Sequence, residues 1–182
     1  MQTRQVQRRG AVKMINNAAA VTAAFAKVLQ ANGKPLSSLR LIIPQVAHET
    51  GGFRHRLSQP PINNMSGIKW RHKTALKGEK DSGIKSPEGD NYAAYDTLDV
   101  WAQRHYNIIN RGTNKPLDAL NVTDFAKRLK DNKYYTAPLD LYTNALIKWE
   151  KQLSKTLADV PQIAKTGAVI LLLIFITFLI LQ

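Results

Sequence analysis

The chain has 182 residues and no cysteine, so disulfide scaffolds, Cys-ligated zinc or iron–sulfur sites and cysteine nucleophiles are excluded. A 44% hydrophobic content excludes a disordered chain and is enough for one domain with a core of its own. The formal net charge is +13, and residues 1–78 hold 13 Lys and Arg against a single acid, Glu49; such a face favours polyanionic partners.

The first predicted element is a helix from Val12 to Asn32. Val21, Ala24, Phe25, Val28 and Leu29 recur at helical spacing, and Asn32-Gly33 makes a C-cap. The basic residues Arg4, Arg8, Arg9 and Lys13 lead into an Ala-rich, weakly apolar stretch, so no signal peptide is expected. A second helix runs from a cap at Ser37 or Ser38 to about Thr50, where Gly51-Gly52 stops it. Pro44 falls inside that run: either the helix kinks there or it begins nearby.

Glu49 closes this apolar helix (Leu41, Ile42, Ile43, Val46, Ala47). The helix dipole and partial burial both raise a carboxyl pKa at that position, which suits a general acid. Arg54, His55 and Arg56 act in the opposite sense, and the sequence leaves the balance open. His48-Glu49 does not make a zinc protease, because HExxH needs histidine where Gly52 stands. No nucleophile elbow or phosphate loop occurs, and neither a metal nor a cofactor is expected.

Residues 67–96 are rich in Gly, Lys and Asp, with short apolar pieces at Gly67–Trp70 and Asn91–Tyr95, and predict a small β-hairpin lobe. Helices follow at Leu98–Asn110 and Thr123–Lys130. A last long helix starts near Pro138, with Leu141, Ala145, Trp149, Leu153 and Leu157 setting its apolar face. Residues 158–165, containing Pro161, read as a linker.

Residues 166–182 are free of charge, and from Gly167 to Leu181 the segment is apolar on every face apart from Thr177. As a helix they span about 25 Å, close to the ~30 Å of a bilayer core, which predicts a C-terminal transmembrane anchor from Thr166 to Gln182 with the lipid bilayer as partner. Lys148, Lys151, Lys155 and Lys165 flank it on the domain side, and the positive-inside rule then favours a cytoplasmic domain. The basic N-terminal half lacks interleaved aromatics and any nucleic-acid motif, so no specific nucleic acid is expected.

Three segments carry more than generic chemistry: Ala47-His48-Glu49-Thr50-Gly51-Gly52-Phe53, Asn63-Asn64-Met65-Ser66-Gly67-Ile68-Lys69, and Tyr134-Tyr135-Thr136-Ala137-Pro138 followed by Tyr142. In this order and at this spacing the chain resembles the bacterial glucosaminidases of glycoside hydrolase family 73, over about Val12 to Leu153. The resemblance implies a mainly α, α+β lysozyme-like fold over residues 1–157, a helical body with a small β-lobe across a cleft. It also implies the β-1,4 glycan of peptidoglycan as substrate.

On that resemblance Glu49 takes the general-acid position and Tyr134 that of the cleft tyrosine. Glu79 is the best match to the second carboxylate, with Glu88 and Asp90 as alternatives. Asn63, Asn64 and Gly67 shape the turn into the lobe and, with Lys69 and Tyr135, form the implied substrate-binding set. The chain departs from the family at Ala137, where Asp is usual, and in the three residues Leu139-Asp140-Leu141 before Tyr142, where one is usual. N-acetylglucosaminidase activity is the first expectation; muramidase and lytic transglycosylase share the fold and the acid. A wall hydrolase tethered in this way reads as a phage protein, carried in the membrane of a lipid-containing virion among other virion proteins or released at lysis. A bacterial inner-membrane enzyme facing the periplasm is the alternative origin. The competing class is a non-catalytic, membrane-anchored structural virion protein with a degenerate lysozyme-like domain.

Overall fold

The computed structural model describes the backbone of residues 2–158 and the side chains of residues 17–154. Helix α1 spans Gln2–Ala31, α2 Leu39–Glu49, α3 Leu98–Ile109, α4 Val122–Asp131 and α5 Leu139–Ala158; strands β1 (Glu79–Lys85) and β2 (Asn91–Tyr95) lie between α2 and α3. The expected helical body with a small β-lobe is therefore present.

The centre of the body is α2. Its residues Leu41, Ile42, Ile43, Pro44, Gln45, Val46 and Ala47 are all buried, so no face of it is left to solvent. A helix apolar on all sides belongs inside a bundle, and α2 packs against α1, α4 and α5. On the far side α1 packs on α3, where Phe25 meets Trp101 edge-on at 5.2 Å. Every residue of the predicted α1 stripe is buried. β1 and β2 pair antiparallel, with Glu79 opposite Tyr95 and Asp81 opposite Ala93, and the register then shifts before Lys85 reaches Asn91. The segment Gly67–Trp70 joins this hairpin through an isolated bridge from Lys69 to Tyr92.

Several local expectations need correction. α1 begins at Gln2, ten residues ahead of the expected start. Ser38 does not cap α2: a 3-10 turn at Leu36–Ser38 precedes the helix, and the Ser38 hydroxyl donates instead to the Leu117 carbonyl. Of the two placements the sequence left open, Pro44 takes the interior of α2 and not its start. On α5 the expected stripe is rotated, with Leu141 61% exposed while Tyr142, Leu146 and Leu153 are buried. The cause is that Tyr142 stacks on Tyr135, ring to ring at 3.7 Å, at the point where α5 begins. The linker and the anchor lie outside the described residues, apart from Ala158, which ends α5. Among the described residues no helix is long and apolar enough to cross a membrane.

Candidate active site

Glu49 is the last residue of α2, and backbone chemistry fixes where its side chain emerges. The Gly52 N–H donates to the Ala47 carbonyl at 2.8 Å and the Gly51 N–H to the His48 carbonyl at 3.3 Å. These are the two bonds of a Schellman ending, and Gly51 takes the left-handed conformation it requires (φ +56°). The buried helix therefore stops at Glu49 and presents its carboxyl to a cleft of about 540 Å³.

Glu49 keeps contact with solvent along that cleft. Its concave surroundings still strip much of its hydration, and this desolvation lifts the carboxyl pKa above the ordinary value. The Tyr142 hydroxyl, the nearby His48 and the Gln45 amide each oppose the rise without cancelling it. The arginines after α2 are exposed and contribute no such opposition. A carboxyl in this state retains its proton to higher pH and can pass it to a group in the cleft.

Tyr134 arrives by the same device. Its N–H donates to the Leu129 carbonyl at 2.9 Å and the Lys133 N–H to the Lys130 carbonyl at 2.9 Å, with Lys133 left-handed at φ +55°. A second Schellman ending, on α4, thus sets Tyr134 beside Glu49. Gln45, one turn before Glu49, bridges the two: its amide nitrogen lies 3.2 Å from Glu49 Oε1 and 2.9 Å from the Tyr134 hydroxyl. The Tyr142 hydroxyl donates to the same Glu49 oxygen at 3.1 Å. Despite the longer Pro138–Tyr142 spacing, then, the first turn of α5 reaches the acid. Tyr142 is held between the Tyr135 ring and an edge contact with His48 at 5.2 Å. Burial and the adjacent Glu49 push both Tyr134 and Tyr142 far above the ordinary phenol pKa, so both remain protonated donors.

Behind Gln45 lies His105 of α3, fully buried, with its Nε2 2.9 Å from Gln45 Oε1 and its Nδ1 2.8 Å from the Ser66 hydroxyl. Burial alone pushes its pKa down to about 3, so the ring is neutral. Trp101 donates its indole N–H to the same Ser66 oxygen at 3.2 Å. Gln45, Ser66, His105 and Tyr142 were not among the site residues expected from sequence. Gln45 sits one helical turn from Glu49, which was a usable signal; nothing in the spacing of His105 points to it.

The lobe-side residues divide by role. Asn64 is buried, and its carboxamide accepts from the Ile68 N–H at 2.9 Å while donating to the Ile68 and Ala93 carbonyls at 2.8 and 2.9 Å. Asn63 donates to the Tyr95 carbonyl at 3.0 Å, and Gly67 turns the chain at φ +61°. These three tie the Gly67–Lys69 segment to β2. Lys69 and Tyr135 do line the cleft.

Glu79, Glu88 and Asp90 are each engaged elsewhere, and none of them lines the cleft. The Glu79 side chain is completely buried, accepts from the Leu76 N–H at 3.1 Å and faces Arg104 Nε at 3.4 Å. Glu88 is ion-paired with Lys69 at 2.6 Å, which holds its carboxyl at about 2, and Asp90 is paired with Arg71, which lowers it as well. Among the described residues Glu49 is the one carboxylate lining the cleft, whose walls also carry Lys69, Arg71, Arg104 and Arg111. Among the described residues no three His, Asp or Glu gather closely enough to hold a metal ion.

No family model and no curated protein matches the chain in sequence. In three dimensions it is similar to the glycoside hydrolase domain of FlgJ from Salmonella typhimurium, with a TM-score of 0.57 and 19% identity over 78% of this chain and 89% of that one. It is also similar to a peptidoglycan hydrolase from Sphingomonas sp. A1, with a TM-score of 0.59 and 18% identity over 82% of this chain and 99% of that one. The catalytic domain of the autolysin Auto from Listeria monocytogenes gives a TM-score of 0.52 and 17% identity, over 87% of this chain and 96% of that one. The chain thus has the fold of these domains over nearly their whole length.

Proposed function

We propose that the protein is a peptidoglycan hydrolase that cuts the β-1,4 glycan strand, with Glu49 as its general acid. The observation that carries this reading is a desolvated, proton-retaining carboxyl at the end of a buried helix, opening into a cleft in a fold shared with a glycoside hydrolase domain, an autolysin catalytic domain and a peptidoglycan hydrolase. Glu49 protonates the glycosidic oxygen as the bond to the anomeric carbon breaks. The oxocarbenium-like centre is then met by water, which releases a proton to solvent as the new C–O bond forms, or by the acetamido carbonyl of the sugar itself. Tyr134 donates a hydrogen bond to the substrate or to that water. The cations on the cleft walls suit a glycan whose peptide stems end in carboxylates. We place N-acetylglucosaminidase ahead of muramidase or lytic transglycosylase on the motif resemblance.

The burial of Glu79 favours one competing reading, a domain that holds glycan without cutting it, since no second carboxylate lines the cleft among the described residues. Digestion of peptidoglycan by the full chain in detergent, beside its Glu49→Gln variant, separates the two. Fragments with a new reducing N-acetylglucosamine end, absent with the variant, are expected. A reducing muramic acid or an anhydro end moves the cut to the other bond. Folded protein that binds glycan and releases nothing establishes the holding role.

We also read residues 166–182 as a single-pass anchor, in a virion membrane or the host inner membrane. Recovery of the protein only from uninfected cell envelopes, never from virions or lysates, would refute the phage assignment.

A further inference from the structure

The hydrogen bonds behind Glu49 have a direction. We propose that Trp101, Ser66, His105 and Gln45 form a one-way chain that places the acid proton of Glu49 on Oε2 and turns the Tyr134 hydroxyl proton into the cleft. This deepens the acid role given to Glu49 above and rests on it.

The direction follows from the ends. An indole N–H only donates, so Trp101 gives its proton to the Ser66 oxygen. A neutral imidazole has one donor and one acceptor nitrogen, which leaves two tautomers for His105. With the proton on Nδ1, Ser66 would receive from both Trp101 and His105, and its own hydroxyl proton would have no protein acceptor among the described residues and only the cleft to point into. The Gln45 amide would also have to turn over, and its carbonyl oxygen would then face Glu49 Oε1 unpaired once the acid has given up its proton. With the proton on Nε2 every group is satisfied. Ser66 donates to Nδ1, Nε2 donates to Gln45 Oε1, and the two amide protons of Gln45 go to Glu49 Oε1 and to the Tyr134 oxygen.

Two consequences meet at the cleft. Glu49 Oε1 accepts from both Gln45 and Tyr142, while no hydrogen bond from the described residues reaches Oε2. The carboxyl proton therefore resides on Oε2, free to move to a glycosidic oxygen. Tyr134, whose oxygen is taken by Gln45, directs its own O–H outward. His105 touches no reacting atom, so it is a positioning residue; it is packed between the Trp101 ring, stacked at 5.3 Å, and the Phe25 edge at 5.6 Å, which hold its plane.

The titratable groups facing Glu49 are His48 on its own helix, Tyr142 on α5 and Tyr134 between α4 and α5. Lys69, Arg71, Arg104 and Arg111 share the cleft. Against this background His105→Leu frees Gln45 to rotate, so Glu49 loses an ordered donor. Its pKa rises further, and the alkaline limb of the activity profile moves to higher pH.

The test uses the full chain in detergent. Nitrogen-15 NMR of the histidine ring is expected to show His105 protonated on Nε2 and bare on Nδ1 between about pH 5 and 8; the reverse tautomer, or an imidazolium in that range, overturns the proposal. In kinetics, His105→Leu is expected to lower kcat roughly 10- to 100-fold, part of the 10²–10⁴ a positioned acid supplies, with KM near the parent's and the alkaline limb shifted upward. His105→Gln, which restores an amide donor at a similar reach, is expected to recover most of kcat. A loss of kcat with an unmoved limb, or one matched by a fall in folded fraction, assigns His105 a purely structural role and overturns the proposal. A Glu49→Gln variant as active as the parent overturns the acid role and this inference with it, whereas the wrong tautomer overturns this inference alone.

Discussion

Ionising Glu49 in the folded chain means setting a carboxylate at the negative end of a helix dipole, in a concavity that has displaced much of its water. Activity that needs the protonated form falls as pH rises through this elevated pKa. Tyr142→Phe removes a donor that stabilises the carboxylate, so the alkaline limb of kcat/KM is expected to move to higher pH, with roughly a tenfold loss at the optimum. A limb that stays in place would show that the Tyr142 bond does not govern the acid. Stability carries the same sign. A raised folded-state pKa makes Glu49 favour the fold at low pH and oppose it once pH passes from the unfolded carboxyl value through the folded one. Glu49→Gln is therefore expected to melt higher than the parent at neutral pH while losing activity; thermal unfolding at two pH values checks the first half and glycan digestion the second. Glu49 was legible in the sequence because it is the lone acid of a cationic half and precedes Thr50-Gly51-Gly52. His105 was not, because the contact with Gln45 joins residues 60 apart in the chain, and no local pattern encodes such a pairing.

At the scale of elements, two helix endings place the two central groups, α2 for Glu49 and α4 for Tyr134. The first uses glycine at its left-handed position; the second uses Lys133. A side chain in that conformation costs about 1 kcal/mol or more, so Lys133→Gly is expected to stabilise the protein by roughly 0.5–1 kcal/mol, with kcat unchanged. Calorimetry showing a lower Tm would mean that the lysine side chain is itself held in place. The clamp at Asn64 has the opposite outlook. Asn64→Ala leaves the Ile68 N–H and the Ala93 carbonyl without their partner, at a cost on the order of 3 kcal/mol, or about 6–12 °C in Tm. The Gly51-Gly52 stop and the Asn64 motif were both visible in the sequence, since turn chemistry is local. The face of α5 was misjudged because the four-residue repeat of Leu141, Ala145 and Trp149 is a local signal, while the helix's true orientation is set by Tyr142 stacking on a residue outside it. The early start of α1 was missed for a related reason: residues 2–11 carry few apolar side chains at helical spacing.

For the whole molecule the question is how a charge of +13 acts at one cleft. Lys69, Arg71 and Arg104 are engaged by Glu88, Asp90 and Glu79. Arg111 lines the same cleft, and among the described residues no ion pair is formed by it. It is thus the cation best placed to meet a substrate carboxylate. Arg111→Gln is expected to raise KM for stem-bearing peptidoglycan about 3- to 10-fold at low salt, with the difference shrinking as ionic strength rises. An equal effect on glycan stripped of its peptides would point to contact with sugar instead. The uneven charge was plain in the sequence; which cations are already paired was not, because three of the acids come from the hairpin and its turn.

Helix α5 has one end against Glu49, through Tyr142, and runs about 24 Å from there to Ala158 at ~1.5 Å per residue. We have proposed that residues 166–182 enter a bilayer, and α5 is the described element that leads toward them. On that proposed reading α5 contributes a rigid spacer of this length between Glu49 and whatever holds the chain beyond residue 158. Two extra helical turns inserted after Leu153 would lengthen that spacer by about 11 Å.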